Sequence, residues 1–185
     1  MKRILFLDID GVMNAAAFEA ARNDPRFKRD ELSDLEMRRF ENPCEPHISI
    51  LNWIKSQVPG LTIVLSSTWR YDMEPTGWDR FFATLGIDIR VVGKTPRLNT
   101  ERGIEVADWL IENLHGEDDV KFVVLDDDFD PELPWVEERW VKVENRVGLI
   151  REGAFRVVDV FEAQSPVDWK TAVIGVDGST QDFDS

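Results

Sequence analysis

The chain contains a single cysteine, Cys44. One thiol excludes an internal disulfide, and no cysteine cluster exists for zinc. Cys44 stands between Pro43 and Glu45-Pro46 with no base beside it, so a structural or incidental role is expected. Long apolar runs are also missing: none reaches the ~18 residues needed to cross a bilayer. The apolar stretch behind Lys2-Arg3 is too short for a signal peptide, which leads us to expect a protein of the reduced cytoplasm with no membrane partner. Positive charge is scarce, with 22 Lys and Arg against 36 Asp and Glu and a net charge of −14. That balance disfavours a broad nucleic-acid-binding face. The local basic group of Arg22, Arg26, Lys28, Arg29, Arg38 and Arg39 reads as a solvated helix face. Internal repeats and low-complexity blocks are absent, and nothing specifies an oligomeric state.

What is present fits one soluble domain. The 185 residues are 43% hydrophobic and 31% charged, enough to bury a substantial core. The seven tryptophans are scattered, as packing residues are. Short β-branched runs predict strands over 4–9, 61–65, 87–92, 120–125 and, more weakly, 140–143. Between them, helical spacing predicts helices over 47–58, around Trp78 to Leu85, over 100–114 and over 154–161. Strands alternating with helices imply an α/β fold, a central parallel sheet with helices on both faces. Residues 14–46 break this rhythm. They hold the capping-box pattern Ser33-Asp34-Leu35-Glu36, then Met37 and Phe40, and predict a small helical insertion after the first strand. The expected domain spans 1–165, with a partly disordered tail over 166–185.

In open parallel sheets, ligands bind beyond the carboxyl ends of the strands. After the first strand come Asp8 and Asp10, two residues apart and succeeded by the turn residue Gly11. Strand alternation would put both on one side, where like charges tolerate each other only around a proton or a cation. Ser66, Ser67 and Thr68 come after the second strand, Lys94 after the third, and Asp126, Asp127, Asp128 and Asp130 after the fourth. Each element alone is commonplace as a cap, a turn or a surface charge. Together they describe a phosphate-and-metal site. A carboxylate can attack phosphorus, Mg²⁺ takes oxygen ligands, hydroxyls and helix-start N–H groups bind anions, and a lysine adds positive charge.

This constellation resembles the four motifs of the haloacid dehalogenase (HAD) superfamily. The residues are Asp8-Ile9-Asp10-Gly11-Val12, Ser66, Lys94 and Asp126-Asp127, in the family's order over roughly residues 4–130. The chain looks most similar to small HAD proteins of phages and bacteria, including the HAD domain of Swiss Army Knife RNA repair proteins. That likeness is carried by Leu65-Ser66-Ser67-Thr68-Trp69-Arg70, Gly93-Lys94-Thr95-Pro96, Arg102-Gly103-Ile104-Glu105, Leu125-Asp126-Asp127-Asp128 and Gly148-Leu149. The resemblance implies a Rossmann-like HAD fold and Mg²⁺-dependent hydrolysis of a phosphomonoester. In it Asp8 is the nucleophile and Asp10 the general acid–base, which argues for phosphatase rather than dehalogenase chemistry. Ser66 (with Ser67) and Lys94 bind the phosphoryl group. Asp8, the backbone carbonyl of Asp10, Asp126 and Asp127 hold the metal. Val12 stands where many relatives have Thr. Two points stay open: the ligand in the acidic run is Asp126, Asp127 or Asp130, and Arg70 or Arg102 shares phosphate binding with Lys94. Trp69-Arg70 lies where a substrate would stack or pair.

The insertion at 14–46 is too small for a full lid, and an open site suits a polynucleotide end or a bulky phosphoester. The negative charge favours a nucleotide or other small metabolite, so both substrate classes stand. One rival is a receiver-type signalling domain, which uses similar residues but in another order along the chain. A second is a HAD-fold binding module without activity.

Overall fold

A computed structural model describes residues 1–14, 45–98 and 100–172. The insertion signals and the basic group between Arg22 and Arg39 lie outside the described residues. Five parallel strands form one sheet in the order β3-β2-β1-β4-β5. They are β1 (Lys2–Leu7), β2 (Leu61–Leu65), β3 (Val91–Lys94), β4 (Val120–Asp126) and β5 (Trp140–Lys142). The helices are α1 (Glu45–Gln57), α2 (Pro75–Thr84), α3 (Arg102–Leu114), the short α4 (Pro134–Glu137) and α5 (Arg151–Ala163). A 3-10 turn, Thr68–Tyr71, comes directly after β2.

The central strand shows how sequence becomes layers. Side chains alternate across a strand. Leu5 and Leu7 therefore join one core with Leu51 and Ile54 of α1, Trp78 and Phe82 of α2, and Val157 and Phe161 of α5. Ile4 and Phe6 join the other with Val106, Ala107 and Leu110 of α3. Each face of β1 is buried by apolar helix faces, which is why the strand reads as a continuous apolar run. Among the described residues, no helix is long and apolar enough to cross a membrane.

Boundaries differ from expectation in informative ways. In the strand expected over 87–92, Ile87, Ile89 and Val91 are buried, yet the ladder begins only at Val91. Pairing is set by β2, which aligns Gly93 with Val64 and Lys94 with Leu65 after an irregularity at Ile63/Val64. The first strand ends at Leu7 rather than Ile9. Packing continues past residue 165. Val167 donates its N–H to the Val120 carbonyl at 2.8 Å, and Val167 and Ala172 are buried. Residues 173–185 lie outside the described part.

Candidate active site at the carboxyl ends of β1, β2 and β4

The strand order seats β1 between β2 and β4, so the residues leaving these three strands meet. Asp8 comes just after β1, and its backbone N–H donates to the Leu125 carbonyl of β4 at 3.1 Å. Asp126 ends β4 and Asp127 is next to it. One carboxylate oxygen from each of Asp8, Asp126 and Asp127 lies within 4.8 Å of the others. Asp8 and Asp126 are buried and Asp127 is half-buried. Asp130 stands apart: it is exposed, and its backbone carbonyl accepts from Gly103 at 2.9 Å. Asp128 is exposed too, and its N–H donates to Asp126 at 2.9 Å, bracing that carboxylate.

Gly11 makes this convergence possible. Its φ is +73°, a backbone region that L side chains rarely adopt, and a Cβ there would come within 2.3 Å of the Asp127 carboxyl. The turn after Asp10 must be bare for Asp127 to enter.

The cation among these carboxylates is Arg102, the first residue of α3. Its guanidinium donates to Asp126 Oδ2 at 2.7 Å, to Asp8 Oδ1 at 3.1 Å and to the Ser66 carbonyl at 2.5 Å. The helix start comes close enough because residue 103 is glycine. A Cβ at Gly103 would meet the Pro131 carbonyl oxygen at 1.7 Å. Lys94 takes a different place. Its ammonium donates to Glu74 at 3.0 Å and to the Met73 carbonyl at 3.4 Å, so Arg102 supplies the charge beside Asp8 that the lysine was expected to supply.

Burial sets the protonation of the cluster. For Asp126, burial first and the neighbouring Asp8 second push the carboxyl up from 3.8 to about 7, against the pull of Arg102. Burial likewise raises Asp8, opposed by Arg102 and by a hydrogen bond from the Ser67 hydroxyl. Burial pulls the Arg102 guanidinium down, but Asp126 and Asp8 outweigh it and hold it above its ordinary value. Among the described residues, three crowded carboxylates with one arginine leave negative charge unbalanced, and the donors are all oxygen. Such a set suits a hard divalent cation, and Asp8, Asp126 and Asp127 are the residues that would hold it.

Ser66 and Ser67 divide their work. The Ser66 side chain is fully buried, and among the described residues its hydroxyl has no hydrogen-bond partner. A buried polar atom left unpaired is costly, and it fits a place where a ligand oxygen belongs. Ser67 turns to Asp8 and also caps the 3-10 turn, accepting from the Trp69 N–H at 3.4 Å.

The expectation that strand alternation sets the placement of Asp8 and Asp10 does not hold. Because the strand ends at Leu7, alternation no longer governs the two residues. Asp8 joins the carboxylate cluster, whereas Asp10 is exposed and accepts from the Trp69 indole Nε1–H at 2.9 Å. Arg70, next to Trp69, points the other way into a buried ion pair with Glu105 at 2.7 Å. It also donates to the Ser67 carbonyl at 2.8 Å, so it braces the serine loop from behind.

One site residue, Asn145, lies outside the motifs. It donates to Asp127 Oδ2 at 2.7 Å. It stands a few residues past Lys142, the end of β5. The rule that ligands gather beyond strand ends, extended to the weakly predicted fifth strand, points to it.

Comparison with family models gives a match over residues 4–154 to the HAD domain in Swiss Army Knife RNA repair proteins. Comparison with curated proteins gave no match, and neither did comparison with solved structures.

Proposed function

Because this chain belongs to the family of HAD domains in Swiss Army Knife RNA repair proteins, hydrolases of the HAD superfamily, we propose that it is a Mg²⁺-dependent phosphatase working through an aspartyl-phosphate on Asp8. The observation that carries this reading is the meeting of the Asp8, Asp126 and Asp127 carboxylates within 4.8 Å at the ends of neighbouring strands.

Each residue has its part. Asp8 attacks the phosphorus while the Ser66 hydroxyl and Arg102 hold phosphoryl oxygens in line. The bond from phosphorus to the leaving oxygen breaks, and that oxygen takes a proton from Asp10. Water then attacks the phosphorus of the aspartyl-phosphate and gives a proton to Asp10. The bond to Asp8 breaks, releasing inorganic phosphate and the free carboxylate. A bound Mg²⁺ supplies neutralising charge for the phosphoryl group. Lys94, whose ammonium is held by Glu74 and the Met73 carbonyl, has no part in this scheme.

The family's tie to RNA repair supports a phosphorylated polynucleotide end as substrate. The net charge of −14 favours the second reading, a free nucleotide or other small phosphoester. The test is turnover with Mg²⁺ on a panel of aryl phosphate, nucleotides, sugar phosphates, and 3′- and 5′-phosphorylated oligonucleotides. Activity that vanishes in Asp8→Asn is the expected outcome. An absence of turnover across the panel sinks the enzyme reading, and activity confined to small metabolites sinks the polynucleotide one.

A further inference from the structure

The bond between Trp69 and Asp10 has a chemical consequence beyond holding a loop. The indole Nε1–H reaches Asp10 Oδ2 at 2.9 Å. Among the described residues it is the hydrogen-bond partner of an otherwise exposed carboxylate. The indole itself is fixed. Its ring lies 6.1 Å from that of buried Trp78 and packs against the core on that face of the sheet. Its backbone N–H is held by Ser67. The next residue is anchored by the buried Arg70–Glu105 pair, with side chains 5% and 4% exposed. A rigid donor thus meets an exposed acid.

An indole N–H donates and cannot accept. It therefore occupies Oδ2 as an acceptor and leaves Oδ1 outside that bond. We propose that Trp69 is a positioning residue that holds Asp10 by Oδ2, making Oδ1 the oxygen that exchanges protons. This rests on the role given to Asp10 above. In the first step the leaving oxygen keeps the electron pair of the broken P–O bond and takes the proton from Oδ1. In the second, water adds to phosphorus and its proton returns to Oδ1, while the electron pair of the broken bond goes back to Asp8. Trp69 neither gains nor loses a proton.

Trp69→Phe keeps an aromatic ring and deletes the donor. A leaving group of low pKa needs little proton donation, and an alkoxide needs a great deal. The expected result is a fall of about tenfold in kcat/KM, which reports the step that expels the leaving group, on an alkyl phosphate, with kcat/KM for p-nitrophenyl phosphate within about twofold. In an Asp10→Ala background, Trp69→Phe should add no further loss. Equal losses in kcat/KM on both substrates, or losses that multiply in the double variant, would overturn the proposal. Should the Phe variant fail to fold in urea titration, 3-benzothienylalanine at position 69 puts sulfur where the N–H was, with nearly the same shape. The same two outcomes then decide. Failure of the phosphatase reading is separately visible, as activity that persists in Asp8→Asn.

Discussion

Arg102 donates to the Asp126 carboxylate at 2.7 Å, joining the start of α3 to the end of β4 through the strongest kind of hydrogen bond a side chain offers. The Arg102 side chain is 24% exposed and Asp126 fully buried, so the carboxylate depends on the arginine more than the arginine on the carboxylate. Removing the guanidinium leaves Asp126 and Asp8 buried without their counter-charge. Arg102→Met should destabilise the metal-free protein by on the order of 3 kcal/mol, measured by urea unfolding in EDTA, and should abolish the phosphatase turnover proposed above. Arg102→Lys, which keeps charge but not the fork, should recover stability better than activity.

The raised carboxyl of Asp126 fixes the sign of the pH dependence. A group whose pKa moves from 3.8 unfolded to about 7 folded binds protons more tightly in the folded state. Its contribution is complete below the unfolded value and is lost as pH rises towards 7. Asp8, also raised, acts in the same direction. Urea midpoints in EDTA should therefore fall between pH 4 and 7. Saturating Mg²⁺ should flatten that slope, and so should Asp126→Asn. A midpoint that climbs through this window would contradict the burial argument.

Gly11→Ala places a methyl group 2.3 Å from the Asp127 carboxyl at a φ of +73°. The carboxyl is the free end of a side chain and can swing away, so the fold should lose only about 1 kcal/mol, the cost of the left-handed backbone. The metal site should lose far more, because Asp127 leaves it. Calorimetric titration with Mg²⁺ should show weakened binding while the urea midpoint in EDTA changes little.

The Arg70–Glu105 pair is buried on both sides, and Glu105 also accepts from the Leu98 N–H at 2.9 Å. Glu105→Gln should cost about 3–5 kcal/mol by leaving the arginine charge unpaired. The double change Arg70→Met, Glu105→Leu should recover much of that. A double-mutant cycle by urea unfolding checks the coupling.

Much of the fold was legible because its signals are local. Ile4 to Leu7 had to be a buried strand, since every residue is apolar and a glycine turn comes shortly after. The helix around Val106 and Leu110 showed itself by spacing. The residues at the strand ends could be gathered at one edge because parallel topology leaves no other place for them. The choice among Asp126, Asp127 and Asp130 was not legible. It depends on where β4 stops and the next turn begins, and a run of aspartates carries no periodic signal.

From the sequence alone came the alternation of strands and helices, the acids after β1 and β4 and the hydroxyls after β2. These arise from side-chain periodicity and turn chemistry within a few residues. The tertiary structure alone decided which cation faces Asp8 and Asp126 and which side chain holds Asp10. Arg102 is 94 residues from Asp8 and Trp69 is 59 from Asp10. Such pairs meet only once crossover helices have docked, and Arg102 reaches its place only because Gly103 lets α3 press against the Pro131 backbone. Contact across that much chain is set by packing, and packing leaves no mark in the local pattern of residues.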